Sequence, residues 1–142
     1  MPTRKASAIW EKGLKNGKGS FKGESGSVSA GYSFGTRFGE EPGSNPEELL
    51  AAAEAACFSM ALSLGLESNG TPSESVETHA ACTVEKVGDG FKITTMTLDV
   101  TAKVPGLDDA KFQQIAQATK EGCPVSQALK GNVNITLNAK LG

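Results

Sequence analysis

The sequence predicts an α+β protein in which antiparallel sheets surround one long cysteine-bearing helix. Three observations lead there. Strand-like segments succeed one another directly, without regular crossover helices between them. A capped helix start, Asn45-Pro46-Glu47-Glu48, opens the longest apolar stretch in the chain, Leu49 to Leu66. From Thr95 to Val104, apolar and polar residues alternate strictly, the mark of a strand with one buried and one wet face.

Taken in order, the first forty residues carry Gly13, Gly17, Gly19, Gly23, Gly26, Gly31, Gly35 and Gly39 between short runs such as Ala6-Ser7-Ala8-Ile9-Trp10 and Val28-Ser29-Ala30-Gly31-Tyr32. Short strands and tight turns are expected. At the helix start Asn45 can cap, Pro46 suits the first helical position, and Glu48 stands where a capping box would use it. Leu50, Ala53, Cys57, Met60 and Leu64 then follow a helical spacing, with Leu49, Ala52 and Ala56 widening the stripe, so Cys57 is expected to face inward.

Ser68-Asn69-Gly70-Thr71-Pro72 stops that helix. Val76–Val87 and Phe91–Val104, joined at Gly88-Asp89-Gly90, read as a hairpin. Asp108 or Asp109 can open a second helix through Phe112, Ile115 and Ala116, and Gly122 can end it. Pro124 suits the start of a short helix to Leu129-Lys130, closed by Gly131. A final strand places Val133, Ile135, Leu137, Ala139 and Leu141 on one face. The expected order is β-β-β-α-β-β-α-α-β within a single domain, residues 1–142.

Composition narrows the function. Fourteen basic against sixteen acidic residues give a formal charge of −2, which offers no electrostatic footprint for nucleic acid or an anionic membrane. Glu54, Ser59 and Ser63 interrupt the apolar stretch, so it reads as a buried helix, not a bilayer span. The polar N-terminus lacks a secretory pattern, and a cytoplasmic location is expected. Three cysteines do not suggest a secreted disulfide scaffold; thiol chemistry or plain burial fits better.

Thiolates are the strong nucleophiles available here. Cys57 lies on the helix stripe, where a core role competes with a chemical one. Cys123 precedes Pro124, so as a helix cap its sulfur would meet free N–H groups that lower a thiol's pKa. Spacing does not decide which of the two attacks first. Cys82 shares a strand face with Ala80 and Val84 and reads as core. His79, three residues before Cys82, could form a protease-like pair or contribute to a zinc site, but it matches neither pattern of spacing.

Asn45-Pro46-Glu47-Glu48-Leu49-Leu50, Ala55-Ala56-Cys57-Phe58-Ser59-Met60-Ala61-Leu62 and Gly122-Cys123-Pro124-Val125-Ser126 together resemble the signatures of the OsmC branch of the OsmC/Ohr family of hydroperoxide reductases. The likeness extends through Phe34-Gly35-Thr36-Arg37-Phe38 and the final strand. It implies the OsmC-like fold, an intertwined homodimer with active sites at the subunit interface, and a cytoplasmic thiol peroxidase with neither cofactor nor metal. Its substrates would be organic hydroperoxides and hydrogen peroxide, its reductant a dithiol of lipoyl type, and its setting oxidative and osmotic stress. Carried onto matching positions, the resemblance makes Cys57 peroxidatic, Cys123 resolving, Arg37 the partner of the reactive thiolate and Glu47 the partner of that arginine.

Arginine suits that role because it stays charged and offers a planar set of donors. Ten residues, about 15 Å of helix, separate Glu47 from Cys57, so Glu47 is expected to act through Arg37, within or across subunits. Two other classes of function remain compatible with the residues. One is a redox-sensing module whose disulfide alters a partner surface; the other is a carrier with an apolar groove and incidental cysteines.

Overall fold

The structure, a computed structural model, describes residues 1–142. The chain forms two compact units, Met1–Leu49 and Leu50–Gly142.

In the first unit, strands β1 (Ala6–Glu11), β2 (Lys18–Gly23) and β3 (Ser29–Tyr32) form an antiparallel sheet in the order β1-β2-β3. Tyr32 stacks between Trp10 and Phe21, with ring centroids 5.3 and 5.7 Å away. Gly19 is required beneath that cluster: a Cβ there would stand 2.7 Å from Ile9 O and from the Trp10 and Tyr32 rings. A short helix, α1 (Phe34–Phe38), follows where no helix was expected. Five residues give no readable periodicity, and the start is set by a local device. The Ser33 hydroxyl accepts from Thr36 N–H, while the Thr36 hydroxyl accepts from Ser33 N–H.

Helix α2 (Pro46–Ser68) opens as the sequence indicated. Asn45 Oδ1 accepts from Glu48 N–H at 2.8 Å. The Glu48 carboxylate takes up the Ser44 hydroxyl at 2.6 Å. The expected inner stripe is corrected by the second unit, where the fully buried positions are Glu54, Phe58, Leu62 and Leu66. Met60 and Leu64 are 80% and 63% exposed, and Cys57 is half-buried. Alanine-rich and apolar nearly all round, this helix has little amphipathic signal to read, and its one interior charge lies on the buried side. By length and composition α2 could also cross a membrane. Little of that apolar stretch is buried within the chain, but Glu54, on the buried side of the helix, is enclosed by protein groups and receives the Ser126 hydroxyl.

Strands β4 (Ser75–Val87) and β5 (Gly90–Lys103) form the expected hairpin, turning at Gly88-Asp89 with Gly88 at φ 61°. The alternation in β5 is realised fully: Met96, Leu98, Val100 and Ala102 are all buried. Cys82 lies opposite Met96, half-buried against this core. Helices α3 (Asp109–Gly122) and α4 (Pro124–Leu129) lead to β6 (Asn134–Leu141). The sheet order is β4-β5-β6, and β6 runs parallel to β5 rather than antiparallel as expected. The two intervening helices make the crossover that a parallel pair needs.

Asp108 caps α3, accepting from Lys111 N–H at 2.8 Å. Phe112, Ala116 and Thr119 form its inner face. Gly65 lets α3 approach α2 closely, since a Cβ there would stand 3.0 Å from Ile115 Cγ2. Each large core side chain buried this way contributes about 1.5–3 kcal/mol.

Candidate active site: two thiols at a helix junction

Cys57 sits in mid-α2, one turn beyond Glu54. Cys123 sits at the junction where α3 ends and α4 begins, closing α3 through its N–H to Thr119 O. Folding brings together two thiols 66 residues apart in sequence: Cys123 Sγ lies 2.9 Å from Cys57 Sγ. Both are free, so the contact is not yet the bond of about 2.05 Å that a disulfide would form. Cys123 is buried at 1% exposure, leaving Cys57 as the more accessible sulfur.

Cys123 does occupy the capping position before Pro124, but its sulfur makes no cap hydrogen bond. That expectation is corrected. The Cys123 side chain turns towards Cys57 and Glu54, and it is Cys57 that feels an α4 amide. Burial pushes the Cys57 thiol above its ordinary value, the hydrogen bond with Cys123 adds to this, and the Val125 N–H opposes it. The charges of Cys123 and Glu54 also push it up.

The sequence reading missed Glu54 and Ser126. Glu54 is fully buried; its Oε1 accepts from Ser126 Oγ at 2.5 Å and lies 3.9 Å from Cys123 Sγ. Its Oε2 has no partner. Two spacings held the signal: Glu54 stands three residues before Cys57, and Ser126 three after Cys123. Gly122, Cys123, Thr119 and Leu64 also line an apolar groove between α2 and α3.

In the first unit, Arg37 and Glu47 meet as the resemblance implied. Arg37 Nη2 lies 2.9 Å from Glu47 Oε1, and Nε lies 3.1 and 3.3 Å from the two carboxylate oxygens. Glu47 is buried, while Arg37 keeps about a third of its side chain exposed and stacks on Phe38 at 5.0 Å. His79 turns outward on β4 to Glu77 at 2.9 Å, on the face opposite Cys82. No group of three or more His, Cys, Asp or Glu side chains is arranged to hold a metal ion.

A long helix that sets one cysteine against another at a helix junction defines an α+β dithiol protein. Comparison with known proteins identifies which kind. A model of the OsmC-like protein family matches residues 39–138. Peroxiredoxin OsmC of Escherichia coli (strain K12) is 46% identical over 138 residues, covering 96% of both chains. The organic hydroperoxide resistance protein OhrB of Bacillus subtilis is 39% identical over 101 residues, 70% of this chain and 72% of its own. Among solved structures, an organic hydroperoxide resistance protein OsmC from Legionella pneumophila superposes with TM-score 0.74 at 26% identity, covering 99% and 98% of the two chains. The chain belongs to the OsmC-like family.

Proposed function

We propose that this chain is a thiol peroxidase that reduces organic hydroperoxides, and hydrogen peroxide, through Cys57 and Cys123. The observation that carries this reading is the 2.9 Å separation of the two sulfurs, which leaves little movement before they can bond. The names of the relatives support the substrate class: one is a peroxiredoxin, another an organic hydroperoxide resistance protein.

The Cys57 thiolate attacks one peroxide oxygen and the O–O bond breaks. The leaving alkoxide takes a proton to become the alcohol, and Cys57 becomes a sulfenic acid. Cys123 then attacks the Cys57 sulfur, expelling hydroxide that leaves as water once protonated. The resulting disulfide stops further oxidation of Cys57. A dithiol of lipoyl type restores both thiols by exchange, giving up the electron pair that the peroxide received.

Cys57 attacks first because it is the more exposed sulfur and receives the Val125 N–H. Burial alone would keep it protonated and inert. We assign the opposing positive charge to Arg37, held in orientation by Glu47. The exposed Met60 and Leu64 suit a homodimer in which α2 meets a second copy. Residues 1–142 act as one functional domain, and the cytoplasm is the compartment we assign.

Steady consumption of cumene or tert-butyl hydroperoxide with excess dithiol tests the reading. Wild type should turn over, and Cys57→Ser should be inactive. Wild type that consumes no hydroperoxide under these conditions contradicts it.

A further inference from the structure

We propose that Glu54 is the base that takes the proton from Cys123 as this thiol attacks the oxidised Cys57. The inference rests on the dithiol reading above, and its starting point is a carboxylate that stability does not explain. Glu54 is fully buried, yet only one of its oxygens is satisfied: Oε1 receives the Ser126 hydroxyl, while Oε2 has no partner. A buried carboxylate left half-satisfied is destabilising, and a Leu or Met would fill this helix position at less cost. A chemical role would account for it.

Its placement says what that is. Oε1 lies 3.9 Å from Cys123 Sγ, along the weak S–H contact that the thiol makes with it. Cys123 is buried and cannot readily lose its proton to bulk water. The titratable groups set against Glu54 are Cys57 on its own helix and Cys123 at the α3–α4 junction; Ser126 supplies a neutral hydroxyl that fixes Oε1. The inward residues of β5, from Met96 to Ala102, are apolar.

The step balances within these groups. As the Cys123 sulfur bonds to the sulfur of the Cys57 sulfenic acid, its proton passes to Glu54. The S–O bond of Cys57 breaks, and Glu54 returns the proton to the departing hydroxide, which leaves as water. Glu54 ends in the state in which it began. The same carboxylate pushes the Cys57 thiol up, so it hinders the first step while serving the second.

The experiment avoids peroxide, so that it stands apart from the peroxidase reading. In a Cys82→Ser background, Cys57 is loaded with thionitrobenzoate from the aromatic disulfide reagent. Attack by Cys123 then releases the coloured thiolate, followed by stopped flow across neutral pH in wild type, Glu54→Gln and Glu54→Asp. Wild type should release it at a rate nearly flat with pH. Glu54→Gln should be slower by roughly 10²-fold at neutral pH, the lower range of what a placed base contributes, and should recover as pH rises. Glu54→Asp should fall between them. Glu54→Gln should also make Cys57 easier to ionise, seen as thiolate absorbance at lower pH.

Release from Glu54→Gln at the wild-type rate overturns the proposal. So does a wild-type rate that climbs about tenfold per pH unit, the signature of free thiolate, and this holds even where the variants do not fold. Failure of wild type to consume hydroperoxide overturns the peroxidase reading alone.

Discussion

Glu47 grips Arg37 at two nitrogens: Nη2 reaches Oε1 at 2.9 Å, and Nε lies within 3.3 Å of both oxygens. The carboxylate is buried while the guanidinium is partly open, so the pair fixes the direction of a charge that solvent would otherwise leave free to swing. If Arg37 stabilises the Cys57 thiolate, its orientation matters as much as its charge. Glu47→Gln should therefore slow hydroperoxide attack on Cys57, and Arg37→Lys should not preserve it, because an ammonium cannot reproduce the planar two-point contact. A loss on the order of 10²-fold in the rate of Cys57 oxidation is expected for each, measured by stopped flow with cumene hydroperoxide. Wild-type rates in both variants would remove Arg37 from the reactive thiolate.

The pH profile of that reaction has a definite sign. Burial, the hydrogen bond with Cys123, and the charges of Cys123 and Glu54 all raise the Cys57 pKa, whereas the nucleophile is the thiolate. The rate of Cys57 oxidation should rise with pH through the Cys57 titration and level off above it. Cys123→Ala removes the neighbouring sulfur that, with its hydrogen bond, raises Cys57, so its profile should move to lower pH. If Arg37 supplies the positive charge proposed for it, Arg37→Met should move the profile to higher pH. Alkylation rates of Cys57 with iodoacetamide across pH check both directions.

The two sides of α2 should answer mutation differently. Phe58 and Leu62 are fully buried, and truncating them to Ala should destabilise the protein by about 3–5 and 2–5 kcal/mol respectively. Urea midpoints in the reduced state measure this. A midpoint for Leu62→Ala equal to wild type would contradict the burial assigned to that face.

On the other side, Met60 and Leu64 carry apolar surface out to 80% and 63% exposure. If they meet a second copy, Met60→Glu combined with Leu64→Glu should place charges in that contact and shift the protein to monomer. Light scattering at matched concentrations reads the change. A double variant with the mass of wild type would remove this face from the interface.

Much of this architecture is legible in the residues. The β5 alternation from Met96 to Ala102, the Gly88-Asp89 turn, the Asn45 and Asp108 caps and the inner positions of α3 all rest on local rules that the fold leaves in force. The buried side of α2 was not readable, because apolar residues surround the helix and periodicity has nothing to contrast. The parallel β5–β6 pairing depends on where two helices carry the chain, a non-local matter. Cys57, Cys123 and the Arg37–Glu47 pair came from motif resemblance, and the structure adds the distance within each pair, sulfur to sulfur and guanidinium to carboxylate. Glu54 escaped notice because a lone acid in an apolar helix reads as an interruption until its neighbour, Ser126, is brought beside it by the fold.

The most direct test of the account treats fully reduced protein with one equivalent of cumene hydroperoxide and maps its peptides without reduction. A Cys57–Cys123 linkage should form in wild type and be absent from Cys57→Ser, while Cys123→Ser should carry sulfenic or sulfinic acid at Cys57. Recovery of both thiols unchanged, or irreversible oxidation of Cys57 in wild type with Cys123 still free, would contradict the claim that these two sulfurs form one working pair.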